Sequence, residues 1–229
     1  MKISINSLLH GLYKKVDNSQ WVIVFVHGLT SSKNEPIISQ WMEYFNKKWY
    51  STFVFNLYGD QNNKRKLTTN SLDQNIQDIN SVVNDFVQQW QKNIILIWHS
   101  FGWLALLYVD TVVVAKIVLW DASIGWEELL WDVYKDELWR YIDWWDSYRH
   151  YISDQLYQDF CIDPQVHIRQ LQSIEIPIVI ISAEHGLQTP AQAYAQTIQQ
   201  VPFVITWADH TFSDNMSKKE LFETTLQNL

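Results

Sequence analysis

Apolar residues along this chain fall into short unbroken runs, separated by longer stretches in which they recur every three or four positions. The runs at residues 22–26, 52–57, 94–98, 116–120, 177–182 and 203–206 are rich in Val and Ile, the pattern of strands buried on both faces. Between them, residues 36–48, 72–90, 101–109, 190–200 and 217–227 space their apolar side chains at the helical period. Such alternation predicts an α/β fold, a mostly parallel sheet with helices on both faces. Residues 3–16, with Gly11 among them, read as a leading pair of strands. From about 123 to 172 the rhythm stops. That stretch is crowded with Trp, Tyr and acidic residues and offers no clear strand. Lying between two strands, it is expected to form a helical cap over the C-terminal edge of the sheet, the alternative being a peripheral helical excursion.

Length and composition narrow the class. At 229 residues and 47% hydrophobic, residues 1–229 suit one compact domain with a sizeable core. A net charge of −8 argues against nucleic acid or an anionic membrane surface as the main partner. No run of 18 apolar residues could span a bilayer, and the first residues lack the apolar stretch of a secretory signal. Cys161 is the single cysteine, which excludes an intrachain disulfide and fits a cytoplasmic setting. No His/Cys cluster has metal-ligand spacing, so neither metal nor organic cofactor is expected, and a small-molecule substrate is the expected partner.

Candidate chemistry lies where strands end. The third run closes on Trp98-His99-Ser100-Phe101-Gly102 and a helical segment follows. This resembles the nucleophile elbow G-x-S-x-G, with one departure at Trp98. The elbow puts a serine on a strained strand-to-helix turn, and the positions two before and two after it must be small. Taken alone, a serine at a helix start is an ordinary N-cap. His27-Gly28-Leu29 follows the first run, and Asp209-His210-Thr211-Phe212 follows the last.

With the segments 24–33 and 54–59, these motifs resemble small esterases of the α/β-hydrolase superfamily, closest to the cinnamoyl or feruloyl esterase and serine-aminopeptidase-like branch. The resemblance covers nearly the whole chain. It implies a capped hydrolase that cleaves esters through an acyl-enzyme. Ser100 would be the nucleophile and His210 the general base, with the backbone N–H groups of Leu29 and Phe101 forming the oxyanion hole. His27 would be structural. Acyl transfer, or amide and peptide hydrolysis, would use the same residues, and a catalytically impaired hydrolase-like binding protein is the reading from another class.

The acid is out of place. The family pattern G-x-x-D after the penultimate strand meets Ala183-Glu184-His185-Gly186 here, with Gly186 where Asp is expected. Asp121, directly after the fourth run, is the preferred substitute, since some lipases and dehalogenases of this fold use that site. Glu184 is the second candidate, and absence of an acid is the third. Asp209 would point away from the imidazole in extended backbone.

Trp and Gly are also unbalanced. The chain holds 13 Trp and only 6 Gly, where Gly alone ordinarily makes up roughly 7% of residues. The two together come close to their usual joint total. Trp49, Trp98, Trp103 and Trp207 stand where the family pattern has glycine, which suggests UGA codons read as glycine in the source and rendered as tryptophan here. The alternative is a genuinely Trp-rich protein with an aromatic cluster at Trp126, Trp131, Trp139, Trp144 and Trp145.

Overall fold

The structure is a computed structural model that describes residues 2–4, 9–59, 65–89, 93–123, 133–143 and 148–229. Among the described residues, eight strands form one sheet. In chain order they are β1 (Lys2–Ser4), β2 (His10–Lys14), β3 (Trp21–Val26), β4 (Ser51–Phe55), β5 (Asn93–His99), β6 (Val114–Trp120), β10 (Ile178–His185) and β11 (Phe203–Asp209). Their spatial order is β1-β2-β4-β3-β5-β6-β10-β11. The first two pairings, β1 with β2 and β2 with β4, are antiparallel. From β4 to β11 every pairing is parallel. The runs read as strands thus lie in the sheet, most of them a residue or more longer than their apolar cores.

Alternation along each strand sends side chains to two separate cores. Ile23, Phe25, Ile95, Ile97, Val118 and Trp120 face one, which α1 (Pro36–Asn46) and α7 (Asn215–Gln227) cover with Trp41, Phe45, Leu221 and Phe222. Val22, Val24, Leu96, Trp98 and Leu119 face the other. It is closed by α2 (Leu72–Gln88), α3 (Trp103–Leu106) and α6 (Gln188–Thr197). Helix starts follow local chemistry. The Ser71 hydroxyl accepts from the Gln74 N–H at α2, and Asp214 accepts from Met216 and Ser217 at α7. Of the stretch 72–90 expected as one helix, Trp90 lies outside the described residues.

The segment between β6 and β10 corrects the helical expectation. It contains a three-stranded antiparallel sheet, β7 (Val133–Lys135), β8 (Arg140–Asp143) and β9 (Arg149–Ile152). Two helices follow, α4 (Asp154–Phe160) and α5 (Pro164–Gln172). Strands of three or four residues are too short to show a period. Their stabilisation comes from cross-strand rings instead: Tyr134 stacks on Tyr141 at 5.7 Å, and the Arg149 guanidinium lies 4.6 Å from the Tyr141 ring centroid. Ile142 and Ile152 are fully buried and join this sheet to the main core. Trp126, Trp131, Trp144 and Trp145 lie outside the described residues. Among the described residues, no helix is long and apolar enough to cross a membrane.

Candidate active site

The C-terminal ends of β3, β5, β6 and β11 converge, and each delivers one of the residues singled out above. After β5 the chain turns sharply at Ser100, whose φ of 59° is a left-handed value unusual for a residue with a β-carbon. A 3₁₀ turn over Ser100–Gly102 and the single turn of α3 follow. The helix expected over 101–109 is therefore much shorter, and its macrodipole adds little at the serine. Phe101, the next residue, lies within that 3₁₀ turn and is buried.

The hydroxyl has a partner across the sheet. Ser100 Oγ lies 2.9 Å from His210 Nε2, and His210 Nδ1 lies 2.5 Å from Asp121 Oδ2. The imidazole thus donates from Nδ1 to the carboxylate and presents a bare Nε2 to the serine hydroxyl. The Asp121 side chain has no exposed surface, whereas that of His210 keeps 27%, so the histidine is open to solvent from one side. Three further bonds fix the carboxylate: Oδ1 accepts from Ala183 N–H at 2.9 Å, and Leu187 N–H bridges both oxygens at 3.0 Å.

Gly186 explains how an acid on β6 can take this place. A β-carbon on Gly186 would sit 2.2 Å from Asp121 Oδ2 and 2.8 Å from its Cγ. The carboxylate occupies the room a side chain at 186 would need. Glu184 is directed elsewhere, accepting the backbone N–H of Trp207 at 2.7 Å. Asp209 turns away from the ring and accepts from the N–H groups of Thr211 and Ser213 at 2.9 and 3.0 Å.

The loop after β3 comes close to the serine. A β-carbon on Gly28 would meet Ser100 Cβ at 2.9 Å, so only glycine lets the loop approach this closely. His27 is structural: Nδ1 donates to Gly28 C=O at 2.8 Å and Nε2 accepts the Leu57 N–H at 3.1 Å. Burial lowers its pKa to about 4, which keeps the ring neutral as both bonds require.

Two residues in this network are not legible from the motifs as roles. The Tyr58 hydroxyl accepts from Thr30 N–H at 3.0 Å and donates to Gly28 C=O at 3.2 Å, pinning both ends of the loop's turn. His99 stacks on His210 with ring centroids 5.0 Å apart and an interplanar angle of 27°. Its Nε2 donates to the His210 carbonyl at 2.8 Å. Burial, reinforced by the neighbouring His210, lowers the His99 pKa to about 4. Both residues lie inside the quoted motifs, but nothing in a motif says what a ring touches.

Over the Leu29–Phe101 side lies a narrow, mostly apolar cavity, lined by Leu57, Tyr58, Leu72, Phe101 and Leu156 of α4 and holding about 10 Å³ of open space, room for one water. Phe160 of α4 meets Phe101 edge-on at 4.2 Å, and Asp159 accepts the Leu72 N–H at 2.7 Å. The segment between β6 and β10 is thereby tied to the residue next to Ser100.

The sheet order, with these residues at its C-terminal edge, is that of the α/β-hydrolase fold, and solved structures agree. The chain is similar to Est1E from Butyrivibrio proteoclasticus, solved with ferulic acid bound, at 16% identity and a TM-score of 0.77 over 99% of this chain and 98% of that one. It is similar to an esterase domain from a Rhodothermus marinus protein at 17% identity and TM-score 0.71, covering 95% and 90% of the two chains. A dienelactone hydrolase from Anabaena variabilis matches at 12% identity and TM-score 0.67, over 99% and 94%. No protein-family model matches the sequence, and no curated protein matches it.

Proposed function

We propose that the chain is a carboxylic ester hydrolase that works through a covalent intermediate on Ser100. The observation that carries this reading is the continuous chain from Ser100 Oγ to His210 at 2.9 Å and from His210 to Asp121 at 2.5 Å. In the first half-reaction Ser100 Oγ attacks the ester carbonyl and its proton passes to His210 Nε2. The N–H groups of Leu29 and Phe101 stabilise the oxyanion, and losing one such donor typically costs about 3–4 kcal/mol in the barrier. His210 then protonates the departing alkoxide. In the second half-reaction water, deprotonated by His210, releases the acid and restores Ser100. Asp121 orients the ring and stabilises imidazolium.

The segment between β6 and β10 acts as the cap in this reading, since α4 packs on Phe101 and lines the adjoining cavity. Acyl transfer and amide hydrolysis share this machinery and differ only in the acceptor or leaving group. The binding-protein reading drew on Gly186 and on Trp98, and Asp121 filling the space at 186 answers the first of these. A panel of p-nitrophenyl and hydroxycinnamate esters tests the proposal, the latter because the Butyrivibrio protein was solved with ferulic acid. Turnover that falls by several orders of magnitude in folded Ser100→Ala is the expected result. Equal turnover in that variant would overturn it.

A further inference from the structure

We propose that positions 49, 98 and 207 carry glycine in the protein made by its source cells, their codons being UGA decoded as glycine. Two of the three show it in the backbone. Trp49 lies just past α1 with φ 69°, where Trp49 N–H bonds Asn46 C=O at 3.1 Å and Tyr50 N–H bonds Phe45 C=O at 3.1 Å. That pair of bonds is the Schellman ending, whose left-handed residue is usually glycine. Trp207 has φ 60° in β11, where the register against β10 shifts between Ala183 and His185. A left-handed residue at such a bulge is again a glycine position.

Neither indole is buried to offset the strained backbone, and the Trp207 ring lies beside His185 at the surface, with centroids 6.2 Å apart. Trp49 is 75% exposed and Trp207 is 79% exposed, whereas tryptophan normally contributes by burying most of its surface. The third position differs in kind. Trp98 is fully buried in β5 between Val26 and Leu119, with an indole N–H that has no partner among the described residues. Trp120 shows what an accommodated tryptophan looks like, its Nε1 donating to Thr225 Oγ1 at 2.9 Å. Trp41 also has an unpartnered indole, but it packs on Phe25 and Phe45 from a helix face. What sets position 98 apart is its place two residues before Ser100, which the elbow keeps small; for this position alone the inference rests on the ester-hydrolase reading. Left-handed backbone by itself does not mark the class, since Gln199 follows α6 with φ 56°. The mark is that conformation together with an exposed indole, in a chain with 13 Trp and 6 Gly. The Trp103 side chain lies outside the described residues.

Peptide mass spectrometry of the protein isolated from its source cells reads the three residues directly. Glycine at 49, 98 and 207, with tryptophan at 120, is the expected result; tryptophan at any of the three overturns the inference there. The recombinant chain gives a second measurement. Trp49→Gly and Trp207→Gly should each raise Tm by about 2–4 °C, and Trp120→Gly should lower it by about 10 °C. Trp98→Gly should raise ester turnover. A fall in Tm for both exposed variants contradicts the inference. Glycine at all three positions in a protein that hydrolyses no ester would leave this inference standing and sink the hydrolase reading instead.

Discussion

Asp121 and Gly186 are complementary across neighbouring strands: the side chain absent at 186 is the space in which the carboxylate sits. Gly186→Ala should therefore displace Asp121 without touching substrate. We expect kcat to fall by about 10²-fold, since displacements near 1 Å can cost that much, with KM little changed. Unchanged kcat would mean that Asp121 does not need this seat. His99 offers a second test, because its bond to the His210 carbonyl holds the backbone from which the imidazole hangs. His99→Leu should lower kcat by about 10–10²-fold. His99→Gln, whose amide N–H can occupy the place of Nε2, should restore most of it; failure of both variants alike would point to packing. The sequence brought Ser100 and His210 forward because strained turns and strand ends leave recognisable motifs. It left Asp121 and Glu184 as rivals, since which carboxylate faces the ring depends on the register of β6 against β10.

At the scale of elements, the strands of the main sheet were legible because burial on both faces leaves unbroken Val/Ile runs. The β7–β9 sheet was not. Its strands have three or four residues, too few to show a period, although Ile142 and Ile152 are buried against the main core. The loop after β3 is stabilised by a buried ring: His27 bridges Gly28 C=O and the Leu57 N–H and is neutral in the fold. Its folded pKa of about 4 lies below the ordinary 6.5. Between those values the unfolded chain binds a proton that the folded chain does not, so stability falls as pH drops through that window. His27 alone should cost on the order of 3 kcal/mol between pH 7 and pH 4. Urea midpoints across that range should fall steadily; a flat profile would show that His27 is already charged in the native state or exposed to water.

For the whole molecule, eight strands in the order found bring residues from positions 28, 100, 121 and 210 to one edge, although they are scattered along the chain. Fold class follows from the alternation of strands and helices, but substrate class does not, because the sequence of α4, which packs on Phe101, shows no pattern tying it to a ligand. An active-site-directed fluorophosphonate reads the proposed Ser100–His210–Asp121 unit without knowledge of the natural ester. The native chain should be labelled at a single residue, mapped by peptide mass to Ser100. Labelling should vanish in Ser100→Ala and His210→Ala, slow by about 10⁴-fold in Asp121→Asn, and be unchanged in Glu184→Gln. Absence of labelling in the folded native chain, or labelling that persists in Ser100→Ala, would contradict the account.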